Sequence, residues 1–480
     1  MVFPIVGGDG KPTGYDISNS LRFNDDDSPS LAITPGSAGN RKTFTYSGWV
    51  KRSSVENSNG QDHLFMVNGG NADDTWFQLR FEDNDLVVSS YNARMVRTDR
   101  KFRDPSAWYH VVCAVDTTQA TDSNRVKLYV NGVQETSFST TSYPSQDSNT
   151  GVNGTYRHFI GAEGGTSGSG SGNYFNGYMT EVHLIDGSAL DPTSFGEFNT
   201  NGVWVPIKYT GSYGTNGFFL QFKQTGTSQN SSGIGADTSG NDNHFAVSNL
   251  AAVDVNTDTC TNNFATMSPQ YSDAQQGGAA TFAEGNLQIT TTYNSTAGLR
   301  YPQVYSTFAA QTGKYYYEMK ITTSDTDSFI GIFSPEQLGY IVSNNPYGGV
   351  ASTGIIYTSR GELRLNDAST SGHGTFSQND ILGCALDIDN NKVYFHKNGT
   401  YIQSGDPAAN SGGQAIPAGF FYGFSVGNET ASNSGTMQVN TGNPLFTISS
   451  GNADANGFGN FEYAVPSGFF AMCTKNIGEL

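Results

Sequence analysis

Arg125-Val-Lys-Leu-Tyr-Val-Asn-Gly-Val-Gln134 decides the fold. Val126, Leu128 and Val130 alternate with Lys127 and Tyr129, the period of a strand with one buried face. Asn131-Gly132 then supplies two residues that accept positive φ, as a tight type I′ hairpin turn requires. The same arrangement returns at Lys392-Val-Tyr-Phe-His-Lys-Asn-Gly-Thr-Tyr-Ile402. Each copy follows an apolar strand ending in Asp, His110–Asp116 and Ile381–Asp387. Two β-domains built around central hairpins follow from this duplication.

Composition agrees. A chain of 480 residues suggests two or three domains. Its 58 Gly, 25 Tyr and 31 Phe, with only 14% charged residues, describe many short strands joined by turns. No window carries a sustained 3.6 period, so helices are expected to be few and short. Net charge is −18 and the 25 Lys and Arg read as scattered, which argues against nucleic acid as a partner. Cys113 and Cys384 lie in apolar runs and read as small core residues, and no CxxC pair offers a zinc site. The opening Met1–Val6 has no basic region and too short an apolar run for a signal peptide. No apolar run is long enough for membrane insertion.

Along the chain, residues 1–20 form an N-terminal arm. Its Val2, Phe3, Ile5 and Val6 are too apolar to leave in water: they dock on their own domain or anchor the chain to another protein. The first domain is expected over 21–225 and the second over 280–446. Between them, 226–279 carries Phe245, Val247, Leu250, Val253, Phe264 and Met267, more apolar groups than a free tether would hold, so an ordered strap is expected. Thr166–Gly172 reads as a Gly/Ser loop, and Leu190–Phe198 as one short helix with Asp191 as N-cap and Pro192 at its first position. Residues 447–480 are expected to pack back on a domain or make a subunit contact.

The run Ser47-Gly-Trp-Val, Trp108-Tyr-His-Val, Val126–Gln134 and Gly177-Tyr-Met-Thr-Glu-Val resembles the laminin-G/pentraxin-like branch of the concanavalin A-like jelly rolls. The second domain resembles a SPRY domain. Its Tyr-Tyr-Glu strand at Tyr316–Glu318, its Gly-Ile-Phe strand at Gly331–Phe333 and its Gly-Cys-Ala-Leu-Asp to Val-Tyr-Phe-His-Lys-Asn-Gly hairpin carry that likeness. The fold expected is therefore all-β: two antiparallel β-sandwiches, a concanavalin A-like jelly roll and then a SPRY-like sandwich, joined by the strap. The tandem, with its connector and tail, resembles virion structural proteins of tailed phages of marine type.

Chemistry is sparse. Retaining β-glucanases of this fold carry a Glu-x-Asp-x-x-Glu strand, because alternate residues share a face and two carboxyls must flank one bond. Here the closing strand reads Thr180-Glu-Val-His-Leu-Ile-Asp186, with His183 where the middle Asp would stand. Glu181 and His183, on one face, either bind a ligand or, the reading preferred, form an exposed strand pair. Gly423-Phe-Ser-Val-Gly427 matches a nucleophile elbow only in letters, since no helix pattern follows. No catalytic residue is assigned. The laminin-G resemblance leaves room for calcium in the first domain, where Asp25–Asp27, Asp73-Asp74 and Asp83–Asp85 are acidic loops. No metal ligand and no other cofactor is assigned. Asp387–Asn391 reads as a turn.

SPRY-like domains bind through loops at one end of the sandwich. Tyr340, Tyr347, Tyr357 and Arg360 fall in such loops and suit contact with protein or sugar, unless the tyrosines pack the loops onto the sheet. The resemblance implies a non-enzymatic virion protein, in a tail fibre, tail spike or capsid appendage, assembled in the host cytoplasm. It would bind host-surface glycan or protein and other virion proteins as a homo-oligomer, with a trimer expected. The alternatives are a glycan-cleaving tailspike enzyme of the jelly-roll fold and a bacterial surface adhesin.

Overall fold

The computed structural model describes residues 14–55, 60–166, 170–272, 279–292, 303–323, 327–337, 353–365, 368–428 and 434–477. They fall into two compact units, 12–261 and 262–480. Both are built mainly of antiparallel strands. Among the described residues no helix is long and apolar enough to cross a membrane.

Both sequence hairpins form as expected. In the first unit Val126–Val130 pairs with Trp108–Asp116, Val111 opposite Val130 and Cys113 opposite Leu128. Asn131 and Gly132 take φ of 49° and 78°, and Val133–Gln134 returns along Val130 and Tyr129. In the second unit Lys392–Lys397 pairs with Ile381–Asp387, Asn398 and Gly399 take 49° and 79°, and Thr400–Tyr401 returns. Asp387 closes its loop as expected of a turn, accepting from the N–H and side-chain amide of Asn390 at 3.0 and 2.8 Å.

The first unit is a sandwich. One sheet runs Val133–Gln134, Val126–Val130, Trp108–Asp116, Thr43–Arg52, Gly177–Asp186, Ser20–Phe23 and Val255–Asn256, with Phe218–Leu220 also on Gly177–Asp186. The other runs Phe138–Thr141, Arg94–Thr98, Asp85–Ser89, Trp76–Glu82, Gln61–Asn68, Arg157–Ile160, Ser30–Ile33 and Ala246–Ser248. Alternation does the work: Phe44, Tyr46 and Val50 point inward from one sheet and Phe77, Leu79 and Phe81 from the other. Phe44 meets Phe77 edge-on at 5.3 Å, and Tyr46 stacks on Phe65 at 5.5 Å.

The second unit repeats the plan. Seven strands from Met267–Ser272 to Ala368–Thr370 face a sheet that has Lys314–Ile321, Ile381–Asp387 and Lys392–Lys397 at its middle. Tyr317 ties the two. Its ring stacks on Phe424 at 4.0 Å, and its hydroxyl lies 2.8 and 2.9 Å from the Gly331 and Ser425 carbonyls while accepting the Gly331 N–H at 3.1 Å.

The described part of the strap, 226–272, is ordered but divides at 261/262. Its first part belongs to the first unit: Phe245 and Leu250 enter the core, Ala246–Ser248 lengthens one sheet and Val255–Asn256 the other. Its second part belongs to the second unit, where Phe264 joins Tyr316, Phe461, Phe469 and Cys473. The C-terminal segment packs back on the second unit, Phe470–Ala471 lying parallel to Tyr315-Tyr316. Leu190–Phe198 is no α-helix. Asp191 caps a single 3₁₀ turn, Pro192–Ser194, through the Thr193 N–H at 2.9 Å, and Gly196–Phe198 then pairs as a strand with Trp204–Pro206. The Gly/Ser stretch is in part a hairpin, Glu163–Gly164 against Gly170–Gly172. All four cysteines are free, and Cys113, Cys384 and Cys473 are buried.

The two turns sit under aromatic rings. A Cβ on Gly132 would stand 2.3 Å from the Trp204 ring, which is fixed by its indole N–H donating to His110 Nδ1 at 3.0 Å. A Cβ on Gly399 would stand 2.7 Å from the Tyr463 ring. Gly132→Ala and Gly399→Ala therefore combine a positive φ with a ring clash, and each is expected to cost more than about 1 kcal/mol, read as a lowered urea midpoint.

Candidate functional site

Of the four binding residues expected in the second unit, Tyr357 and Arg360 lie among the described residues. Tyr340 and Tyr347 lie outside the described residues. Tyr357 is not an exposed loop residue: it is a core ring against Phe376 and Phe395, its hydroxyl donating to the Gly374 carbonyl at 2.6 Å. The alternation that put Ile355 and Tyr357 on one face takes both inward. Arg360 is half-exposed and paired with Asp327. The expected anchor, Val2, Phe3, Ile5 and Val6, also lies outside the described residues. Ser425 stands mid-strand between Gly331 and Tyr305, 2% exposed, so the Gly-x-Ser-x-Gly letters make no nucleophile elbow.

Glu181 and His183 are buried, 5% and 4% exposed, which corrects the exposed strand pair. Both lie on the face of Gly177–Asp186 turned away from the sandwich core, and that face is itself covered. Tyr15 donates to Glu181 Oε2 at 2.7 Å, and Gln221 lies 3.5 Å from Oε1. His183 stacks on Phe219 at 4.1 Å and shares a 3.0 Å hydrogen bond between Nδ1 and the Tyr213 hydroxyl. The strand bulges between Thr180 and His183, and Glu181 takes φ of 49°, a strained conformation that re-aims its side chain. Burial raises the Glu181 carboxyl to about 7, against the hydrogen bonds of Tyr15 and Gln221 and the charge of Lys223. Burial lowers His183 to about 3, with His110 adding to the shift. The imidazole is neutral, and its Nε2 stands 3.9 Å from Glu181.

The outer face of the other sheet is polar, and its Gln78, Arg80 and Glu82 are buried as well. Trp76, Gln78, Arg80 and Glu82 alternate with the core residues Phe77, Leu79 and Phe81. At one end Trp76 meets the exposed Tyr91 edge-on at 5.4 Å. In the middle Arg80 donates to Gln78 Oε1, Ser89 Oγ and Glu82 Oε2, each at 2.6 Å. Burial pushes the Glu82 carboxyl up, but Arg80 and Arg94 outweigh it and hold the group below its ordinary value. Arg97 spans Glu82 at 3.1 Å, Asp83 at 3.1 Å and Asp85 at 2.7 Å.

At the far end the Asp83-Asn84 turn, with φ of 50° and 70°, opens onto a cavity of about 480 Å³. Among the described residues Arg52, Val55, Gly60, Asp83, Asn84, Lys101 and Arg103 line it. Arg52 is buried and held by Asp62 at 2.7 Å, Asn84 Oδ1 at 2.8 Å and the Phe102 carbonyl at 2.7 Å. Lys101 reaches Asp85 at 2.6 Å and is 42% exposed. Sequence reading passed over this end because cations were weighed over the whole chain. Arg94, Arg97, Arg100, Lys101 and Arg103, five of the 25, fall within ten residues.

The acidic loops do not fit calcium. Among the described residues no three His, Cys, Asp or Glu side chains converge as a metal centre needs. Asp73 accepts from Asn92, Asp83 and Asp85 are held by Arg97, and Asp25 accepts from Asn176 at 2.6 Å. Burial, with Asp26 and Asp62 nearby, raises the Asp25 carboxyl to about 6.

Two covered sandwiches define a class of paired β-modules. Residues 25–194 match the model of the concanavalin A-like lectin/glucanases superfamily, and residues 314–435 match that of the SPRY domain. The chain is thus a concanavalin A-like domain followed by a SPRY domain, and both fit glycan or protein binding. No curated protein matches the chain. Among solved structures, the SPRY domain of human HERC1 is similar at 15% identity, covering 36% of this chain and 96% of that one with a TM-score of 0.27. A putative carbohydrate binding protein from Bacteroides ovatus is similar at 14% identity, covering 48% of this chain and 58% of that one with a TM-score of 0.32. The heptameric SAP-like pentraxin of Limulus polyphemus is similar at 16% identity, covering 37% and 80% with a TM-score of 0.28.

The buried acid gives a pH prediction. Glu181 titrates near 7 when folded against 4.5 when free, so the folded state holds its proton more tightly. Its contribution to stability is complete below 4.5 and is lost as pH rises through 7. Glu181→Gln is expected to be more stable than the parent at about pH 8, by up to about 3 kcal/mol, and to lose that advantage at about pH 4. His63, His110, His183 and His396, lowered by burial from 6.5 to about 3, act in the opposite sense. Their stability is present above 6.5 and lost as pH falls. Thermal midpoints of parent and variant across that range separate the two.

Proposed function

We propose that this chain is a non-catalytic binding protein of a tailed-phage virion, in a tail fibre, tail spike or capsid appendage. Its first unit engages a host-surface glycan, and it also contacts neighbouring virion proteins. The observation that carries the non-catalytic reading is the burial of Glu181. A glycosidase needs two carboxyls flanking an accessible bond. Here one carboxyl is sealed beneath Tyr15, and a neutral histidine holds the place of its partner. The Trp76–Tyr91 pair at the edge of the other sheet supplies ring faces of the kind that bind sugars. The virion placement rests on the resemblance of the tandem architecture.

One observation favours a glycan-cleaving enzyme instead: a carboxyl titrating near 7 on a strained bulge is what a general acid requires. The assay that separates the readings is release of reducing ends from host-surface polysaccharide by the full chain. We expect retention of polysaccharide on the immobilised protein with no reducing ends. Reducing ends that disappear with Glu181→Gln would establish the enzyme. For the placement, mass spectrometry of purified particles is expected to find the chain in them, and light scattering to give a homo-oligomer, of trimer mass. Particles without the chain would sink the virion role.

A further inference from the structure

We propose that Lys51 and Asp258 become joined by an amide bond between Lys51 Nζ and Asp258 Cγ, made by the folded first unit itself with release of one water. The bond does not depend on what that unit binds.

Burial is the first ground. Lys51 Nζ stands 2.8 Å from Asp258 Oδ2, and the two side chains are 1% and 0% exposed. In the ion pairs of Lys42, Lys101, Lys314 and Lys397 the lysine is between 26% and 42% exposed. The buried pairs Arg52–Asp62 and Arg80–Glu82 use guanidinium groups, which stay charged and offer no amine lone pair. Lys51 is an amine held against a carboxyl with water excluded from both, and a desolvated lysine is an activated nucleophile.

The walls are the second ground. In register, Lys51 lies opposite Trp108 on one neighbouring strand and Tyr178 on the other. With Ile17, Trp49 and Trp204 these rings form one buried cluster, and Lys51 Nζ sits 5.5 Å over the Tyr178 ring. Asp258 is fixed through its backbone: its N–H donates to Asn256 Oδ1 at 3.1 Å and its carbonyl accepts from Ser20 Oγ at 2.5 Å. Amine and carboxyl are therefore held in contact before any reaction, which is where an intramolecular step gains most. The second carboxyl oxygen, Oδ1, accepts the Trp108 indole N–H at 3.2 Å. Negative charge collects on that oxygen when an amine adds to the carboxyl carbon, so the indole stands where an oxyanion donor is needed.

The step balances within the pair. The ammonium passes one proton to Oδ2, leaving a neutral amine and a neutral acid. The nitrogen lone pair adds to Cγ, and Oδ1 carries the negative charge against the Trp108 N–H. A second proton moves from nitrogen to Oδ2, the Cγ–Oδ2 bond breaks and water departs. What remains is an amide with Oδ1 as its carbonyl oxygen and one hydrogen on nitrogen. Two opposite charges without hydration give way to a group that carries none. Both side chains are closed to water, so hydrolysis lacks its reactant. Asp258 lies in the segment leaving the sandwich, 207 residues from Lys51, and the bond ties that segment to a central strand.

The test is the intact mass of the full chain, denatured so that only covalent bonds hold it. We expect it to be lighter than its sequence by one water. Trypsin is expected to leave Thr43–Arg52 joined to Gln224–Arg300, with no cleavage after the acylated Lys51. Lys51→Arg should keep its full mass and give no branched peptide. Trp108→Phe should slow the loss of water in freshly translated chain about a hundredfold. The parent decides the matter even where a variant fails to fold: full sequence mass, with cleavage after Lys51, overturns the bond. A missing water that lies in a linear peptide, as a succinimide would leave it, overturns it too, as does one that persists in Lys51→Arg.

Discussion

Lys51 and Asp258 meet at 2.8 Å with neither exposed to water, and the architecture follows from what that pair demands. A sheet in a sandwich hides one face in the core and normally leaves the other wet. Here the other face is covered as well, so every polar side chain on it must bring a partner. Lys51 stands on a central strand, and Asp258 is delivered by the segment leaving the first unit, where the Trp108 indole N–H also donates to it at 3.2 Å. Removing one member of such a pair typically costs about 3–5 kcal/mol, because the other is left as a buried charge. In the second unit Glu318 plays the equivalent part. It accepts from the Tyr316 hydroxyl, the Asn440 amide and the N–H groups of Glu462 and Tyr463, so the returning C-terminal segment is bonded to the sheet it covers.

This double coverage explains which features were legible. Strand period and Asn-Gly turns are local, and both hairpins, the free core cysteines and the sandwich pairing follow from them. Exposure is not local. Glu181 and His183 look like a solvent-facing pair because alternation says only that they oppose the core; Tyr15 and Tyr213, far away in sequence, bury them. Tyr357 looks like a loop residue because aromatics next to Ser-Arg-Gly resemble a binding tip. Asp191-Pro192 was read correctly as a helix start, yet propagation failed at Gly196, where pairing with Pro206 offers the backbone a sheet instead.

The cluster of cations beside the cavity was half legible. Arg94 to Arg103 is a visible concentration of charge, diluted to nothing by a whole-chain count. The position of Arg52 was beyond reach, since it depends on Asp62, Asn84 and Phe102 arriving from three separate segments. An acidic loop such as Asp83–Asp85 invites a metal until its cations are placed. Once Arg97 and Lys101 are seen to hold the carboxylates, the same loop is a salt-bridged wall.

The four cysteines carry a further consequence. Thiols react as thiolates, and burial pushes Cys113 and Cys473 up to about 12 and raises Cys260 and Cys384 well above the ordinary value. All four therefore remain protonated across the physiological range, and none is joined to another. The covalent structure of the chain is the same in a reducing as in an oxidising medium. The fold therefore rests on packing and hydrogen bonds, and a reducing medium finds no disulfide in it to break.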